Sequence, residues 1–326
     1  MADRRSLGLW FRTVASLAML GLLLPRVHLD TIVPKWDAET GLWLAAAALA
    51  TGAGVVASAL RWQAVLAGLD IHVRARTLLH HYLAGLFVGN FLPSTIGGDV
   101  LRVRRVALET GEGADTFASV VLERLTGMLV LPVITLVALG LNPGLRHEGT
   151  ASLVAFAMSV TALVLLVVIL WMVSHPRIGG RLTGTGKWQQ FAGAVHLGAA
   201  RFRRHPQAAV GVLVAAFAYQ LLVVLAAFCA ARAVDLDQLG ITACLAFIPA
   251  VSMAQTVPIS LGGLGIREGA LVLFLHPLGV STGRAVAIGL LVYGLNLAVS
   301  LFGAPSFALG GRRAKVAGVS ELASEP

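Results

Sequence analysis

The sequence predicts an all-α integral membrane protein, a polytopic helical bundle with two oppositely oriented broken or re-entrant helical segments in an inverted-repeat-like arrangement. Three observations carry this. Of 326 residues, 57% are hydrophobic and only 13% charged, with a mean hydropathy of +0.83, where soluble domains carry roughly 25% charged residues. Apolar segments of about 20 residues, long enough for a helix to cross a bilayer, follow one another through short loops, whereas a membrane β-barrel shows alternating segments of about 10. The pattern Pro-x-x-x-Gly-Gly-x-x-x-Arg occurs twice inside apolar runs, from Pro93 to Arg102 and from Pro258 to Arg267. A single transmembrane domain over residues 1–315 is expected, followed by a disordered tail at 316–326.

The first expected helix covers residues 10–25, with Arg4, Arg5 and Arg12 as the basic residues at its N-terminal side. Basic flanks around an apolar middle also fit a signal peptide, but no small-x-small cleavage site follows Leu24-Pro25-Arg26, so an uncleaved helix is expected. A second helix covers 41–60, and Arg61, Arg74 and Arg76 are assigned to the loop after it. The segment 78–102 has basic clusters near both ends and, at its middle, Pro93 and Gly97-Gly98, where the chain can reverse. Non-helical backbone at membrane depth is tolerated only where protein or a water cavity surrounds it. Helices at 117–139 and 152–173 come next, joined by a turn near Asn142-Pro143-Gly144. The loop 174–207 is basic, and Trp188, Phe191, Val195 and Leu197 among its cations predict an amphipathic surface helix. A helix at 208–231, a segment at 241–275 broken at Pro258 and Gly262-Gly263, and a last helix at 284–309 complete the bundle.

Placing both termini and the basic loops on the cytoplasmic side collects 18 Lys and Arg there and leaves 4 opposite, with Arg124, Arg267 and Arg284 at or inside apolar segments. This asymmetry predicts a multi-pass protein of the inner (plasma) membrane with both termini cytoplasmic. The first broken segment then enters from the cytoplasm and the second from outside, inverted relative to each other. The formal net charge of +9 is accounted for by cytoplasmic loops facing anionic lipid, and no nucleic-acid partner is expected. Cys229 and Cys244 lie in or beside apolar runs without metal or redox spacing and read as buried inert thiols.

Chance alone gives about 0.01 copies of the repeated pattern at this composition, although two unrelated helix kinks remain the bland alternative. A helix restarting after Gly97-Gly98 points free N–H groups and a positive dipole end into the membrane, where Asp99 can cap it and Arg102 follows one turn later. Arg267 holds the equivalent place in the second stretch, with Glu268 beside it. Opposed half-helix starts in inverted repeats are a recurring design of transporter binding sites for anionic groups. Glu123-Arg124 lies inside an apolar segment and reads either as substrate-contacting or as part of a structural pair, Glu123 with Arg267 or Asp99 with Arg124. Asn90 reads as a lining residue or a cap. His80-His81 reads as interfacial, and no metal ligands and no catalytic residues are assigned.

The ordered motifs Asn90-x-x-Pro93-x-x-x-Gly97-Gly98-Asp99-x-x-Arg102, Glu123-Arg124 with Gly127, and Pro258 to Gly262-Gly263-x-Gly265-x-Arg267-Glu268 resemble the lysylphosphatidylglycerol synthase transmembrane (flippase-like) family over most of the chain. The resemblance implies movement of lipid between leaflets. In bifunctional members a soluble aminoacyl-transferase domain follows the membrane part, and this sequence is expected to be a stand-alone member without it.

The expected function is a lipid translocase, flippase- or scramblase-like, for a phospholipid or another anionic or zwitterionic lipid, aminoacylated and polyprenyl-phosphate-linked lipids included. Asn90, Asp99, Arg102, Glu123, Arg124, Arg267 and Glu268 are the expected substrate-binding residues, and Pro93, Gly97, Gly98, Pro258, Gly262 and Gly263 form the helix breaks. No Gly-x-x-x-x-Gly-Lys-Ser/Thr loop is present, so no nucleotide cofactor is expected. The alternatives are an intramembrane enzyme acting on a lipid-linked phosphate or sugar, and a membrane partner of a separate lipid-modifying synthase. The expected partners are the lipid itself, such an enzyme, or further copies of the chain.

Overall fold

The computed structural model describes residues 37–91, 97–146, 149–174, 192–193, 195–196, 198, 200–202, 206–256 and 263–308. The expected helix at 10–25, Pro93, Pro258, Gly262, most of the basic loop with Trp188, Phe191 and Leu197, and the tail lie outside the described residues. Among those described there is no strand, and nine helices account for most of the chain. They are α1 (Ala38–Gly68), α2 (Ala75–Phe91), α3 (Gly97–Thr110), α4 (Gly113–Leu141), α5 (Thr150–Ser174), α6 (Pro206–Ala233), α7 (Ile241–Gln255), α8 (Ile266–Leu275) and α9 (Thr282–Leu301). Five of them, α1, α4, α5, α6 and α9, are long and apolar enough to cross a membrane. The protein is therefore an all-α polytopic membrane protein.

Local chemistry sets the helix ends. Asp37 stands before α1 in extended backbone, and its carboxylate accepts the Thr40 N–H at 2.7 Å. That bond holds the Asp37 carboxyl below its ordinary value. Such a cap replaces one of the donors a helix start leaves open. At the far end Asp70 takes a positive φ of 66° and turns the chain toward α2. Thirty-one residues at 1.5 Å each make α1 about 46 Å long, well beyond the ~30 Å hydrocarbon core.

Both broken segments are helical hairpins. In the first, α2 and α3 pack antiparallel. His81 Nε2 lies 2.9 Å from Glu109 Oε1 at the base, and Leu78 packs with Val106. Nearer the tip the backbones of Gly85 and Gly98 meet directly. A Cβ on Gly98 would overlap the Gly85 carbonyl oxygen and stand 3.0 Å from its carbon, and one on Gly85 would stand 2.8 Å from Arg102 Cγ. The two glycines are therefore contact surfaces, and the helix resumes at Gly97 rather than after the glycine pair. In the second hairpin α7 and α8 pair through stacked Phe247 and Phe274, with ring centroids 5.6 Å apart and planes 15° from parallel. Gly263 and Gly265 lead into α8 with φ of 79° and 84°, backbone that non-glycine side chains rarely adopt.

Helix α4 joins two cores. Its Leu131, Ala138 and Leu139 belong to a large cluster with α6, α7, α8 and α9, while Val120 belongs to a smaller one with Trp62, Leu66, Leu78 and Val106 around the first hairpin. Helices α1 and α6 lie antiparallel in broad contact, with Tyr219 over Gly54 and Trp43 edge-on to Phe228. Helix α5 is the least buried of the five candidate spans. The described part of the basic loop docks Ala192 and Val195 against Val121 and Leu125 of α4, and Arg201 pairs with Asp70.

Two expectations are corrected here. The last helix ends at Leu301 rather than at 309, because Gly303 packs against the backbone of Leu83 and Ala84. The chain turns there, so that Ser306 donates to the His80 carbonyl at 3.0 Å and its own carbonyl accepts from Arg105 at 3.1 Å. The second helix does not stop at 60 but runs on to Gly68, so Arg61 is a buried helical residue and not a loop cation. Removing Arg61 and the likewise buried Arg102 from the cytoplasmic count leaves the charge asymmetry intact.

Candidate functional site

Three elements bring ionic side chains to one place: α1 carries Arg61, α3 carries Asp99 and Arg102, and α4 carries Glu123 and Arg124, with Gln255 and Gly263 of the second hairpin lining the same cavity. Glu123 is the centre. It is 2% exposed, its Oε1 accepts Arg61 NH2 at 2.9 Å, and its Oε2 accepts Arg102 NH1 at 3.0 Å. Arg102 also donates to Asp99 Oδ1 at 2.5 Å, one helical turn back. The other Asp99 oxygen takes Arg124 through Nε at 2.7 Å and also through NH2. Arg61, Glu123, Arg102, Asp99 and Arg124 thus form one continuous chain of alternating charge. An isolated charge at the bilayer centre costs about 2.5–3.5 kcal/mol on insertion scales, and mutual pairing offsets that.

Aromatic rings support the arginines. The Arg102 guanidinium lies 4.9 Å from the Trp62 ring and 4.6 Å from the Tyr82 ring, and Arg61 lies 5.0 Å from Tyr219. Guanidinium groups are attracted to ring faces at such distances. The Trp62 indole N–H donates to Ser119 Oγ at 2.9 Å and fixes α1 against α4 one turn from Glu123.

The five ionic side chains and Tyr82 line a cavity of about 400 Å³ together with Asn90 of α2, Tyr219 of α6 and, from the second hairpin, Gln255 and Gly263. Of its three arginines, Arg61 and Arg102 have side chains 8% and 7% exposed, whereas Arg124 is 56% exposed. Among the described residues no three His, Cys, Asp or Glu side chains converge as metal ligands.

The structure thus brings Asn90, Gly98, Asp99, Arg102, Glu123, Arg124 and Gly263 to one cavity, while Arg267 and Glu268 are not among its lining residues. Both are buried on α8, where Arg267 donates to Glu268 Oε1 through Nε at 3.0 Å and NH2 at 2.5 Å and lies 4.8 Å from the Tyr293 ring. Glu268 Oε2 accepts the Gly265 N–H at 2.6 Å. A capping carboxylate is thus found at Glu268, while Asp99 accepts from two arginines. Of the structural pairs weighed from sequence, Asp99–Arg124 forms. Glu123 faces Arg61 and Arg102 rather than Arg267.

Sequence reasoning missed Arg61, Tyr82, Tyr219 and Gln255. For Arg61 a signal existed. Trp62, Val65, Leu66 and Leu69 continue a helical i, i+3, i+4, i+7 phase beyond residue 60 and carry Arg61 into the bundle. The other three are uncharged or aromatic residues in apolar helices, and only packing reveals them.

A family model described as Lysylphosphatidylglycerol synthase TM region matches residues 9–303. No curated protein and no solved structure matches the chain.

Proposed function

The chain belongs to the lysylphosphatidylglycerol synthase transmembrane family, and from that premise we propose that it is a lipid translocator that passes a phosphate-bearing headgroup between leaflets through the Arg61–Glu123–Arg102–Asp99–Arg124 cavity. The observation that carries this reading is a cavity of about 400 Å³ lined by five charged side chains inside a largely apolar bundle. A headgroup leaving water loses its hydration. Fixed donors in the cavity take the place of that hydration while the acyl chains stay in the bilayer.

In this reading both termini face the cytoplasm, the membrane is the inner membrane, and the two hairpins are re-entrant from opposite faces, both contributing to the cavity that Asn90, Gly98, Gln255 and Gly263 line. Glu123 holds Arg61 and Arg102 in position. No bond is made or broken, and transport runs downhill or coupled to an ion.

The test is transbilayer exchange. The purified full chain is reconstituted into phosphatidylcholine vesicles containing a trace of acyl-labelled phosphatidylglycerol, and an impermeant quencher is added outside. Quenching is expected to proceed beyond the outer-leaflet half, to slow in Arg102→Ala, and to leave the recovered lipid chemically unchanged. Quenching that stops at the same half as in protein-free vesicles refutes translocation. Conversion of the lipid would make the protein an enzyme.

A further inference from the structure

The C-terminal end of α1 carries a second opening, separate from the ionic cavity, and what it implies goes beyond the translocator reading. A groove of about 450 Å³ is lined from α1 by Leu60, Ala64 and Ala67 and from the turn into α2 by Ile71, Val73 and Arg74. Leu60, Ala64 and Ala67 recur at i, i+4 and i+7 and so share one face of the helix, whereas Arg61 lines the ionic cavity. Gln63 donates through Nε2 to the Val73 carbonyl at 3.0 Å, which holds the two walls together.

Depth gives the groove a direction. Residues 41–60 carry no charge, and as helix they rise about 30 Å, the thickness of the hydrocarbon core. Leu60, 46% exposed, therefore falls at the edge of that core. Ala67 lies about 10 Å further along the axis, past an interfacial layer of about 5–8 Å. The groove runs from the hydrocarbon edge through the headgroup layer, and its lining changes on the way from aliphatic carbon to a guanidinium.

That guanidinium is open. The turn 69–74 has one acid, Asp70, and Arg201 pairs with it. The Asp70 carbonyl accepts from His72 Nδ1 at 3.2 Å, which leaves a neutral His72 ring without a second proton to donate. Arg74 is exposed and meets no carboxylate among the described residues. Its planar fork suits two oxygens of a phosphate.

We propose that this groove holds a resident anionic phospholipid of the adjoining leaflet, its phosphate on the fork of Arg74 and the start of an acyl chain along Ala67, Ala64 and Leu60. Charge and depth agree: the cation stands where phosphates lie, and the aliphatic face stands where chains begin. Such a lipid is not cargo. It rests on the turn through which the chain enters the first hairpin, outside the cavity that Arg61 lines.

The test is site-resolved photocrosslinking. The full chain is reconstituted into phosphatidylcholine vesicles containing a trace of phosphatidylglycerol or of phosphatidylcholine, each with a diazirine near the start of one acyl chain. Adducts are mapped by mass spectrometry after irradiation. At equal dose, adducts on residues 64–74 are expected to favour phosphatidylglycerol by about fivefold, the pull of one cation on an anionic lipid near the surface. Adducts on α5 are expected to show no preference. Arg74→Gln is expected to bring the ratio at 64–74 to about one while phosphatidylcholine adducts stay constant, which shows that the groove is intact. Arg104→Gln removes the same charge from an exposed position on α3 and is expected to leave the ratio unchanged.

No preference at 64–74, a preference that survives Arg74→Gln, or equal losses in the two variants, the mark of a diffuse basic surface, overturns the proposal. So does loss of the preference when excess inorganic phosphate is added at constant ionic strength, because the rim would then be a free-phosphate site. Lipid exchange is not measured in any arm, so a chain that fails to translocate lipid can still show the site, and a chain that translocates can still lack it.

Discussion

Replacing Gly98 with alanine sets a methyl group against backbone. Its carbon would stand 3.0 Å from the Gly85 carbonyl carbon and overlap the attached oxygen, where comfortable carbon contacts are about 3.5–4.0 Å. No rotamer change relieves a clash with main chain, so α3 must move off α2 by about 0.5–1 Å, the difference between those distances. Overpacking of this kind costs about 1–3 kcal/mol. The same displacement strains the Arg102 NH1 bond to Glu123, now 3.0 Å, and bonds to charged groups are worth about 1.5–3 kcal/mol when lost. Partial loss brings the total to about 2–4 kcal/mol. Gly89→Ala is the control, because an added Cβ there meets nothing within 4 Å and alanine is the better helix former by about 0.5–1 kcal/mol. Thermal melts of both variants in one detergent separate them, with Gly98→Ala falling by several degrees and Gly89→Ala holding or rising. If the two melt within a degree of each other, the close packing of the hairpin does not limit stability and the argument fails.

Glu123→Gln is expected to destabilise by about 3–5 kcal/mol, since it leaves the buried Arg61 without a counter-charge and Arg102 with Asp99 alone. Arg124→Gln removes a half-open side chain and is expected to cost about 1 kcal/mol or less. Chemical denaturation of the two variants side by side checks the contrast, and equal losses would contradict it. For topology, cysteines at Asp237 and at Glu112, both at exposed turns, are expected to differ. An impermeant thiol reagent added to intact cells labels Asp237→Cys at once and Glu112→Cys only after permeabilisation, and the reverse pattern inverts the assigned orientation.

The five spans were legible because length and hydropathy decide them locally, and the two hairpins because proline and glycine pairs interrupt apolar runs at sites of ordinary span length. Arg61 was lost to a local rule, that a cation after 20 apolar residues marks a helix end. That rule fails when a carboxylate 62 positions away, Glu123, receives the charge. The end of α9 was illegible for a related reason, since nothing near Leu301 announces that Gly303 meets the backbone of Leu83. The two arginines that Asp99 holds come from its own helix and from α4, and the second of these partners is set by packing rather than by local sequence. Tyr82, Tyr219 and Gln255 come from α2, α6 and α7, and their convergence is a property of the packed bundle alone.

The separation of paired charges along the chain also sets an order of events during synthesis. At about 5–20 residues per second, Arg61 leaves the ribosome about 3–12 s before Glu123 exists, so α1 enters the membrane carrying an unmatched cation. The segment at Ser306 that fastens the base of the first hairpin to its helix start at His80 comes 226 residues later, among the last parts of the bundle to emerge. The ionic chain around Glu123 is therefore assembled early, and its fastening comes last. A nascent chain stalled before residue 303 would hold the charged hairpin by its own His81–Glu109 contact, without the clasp from Ser306.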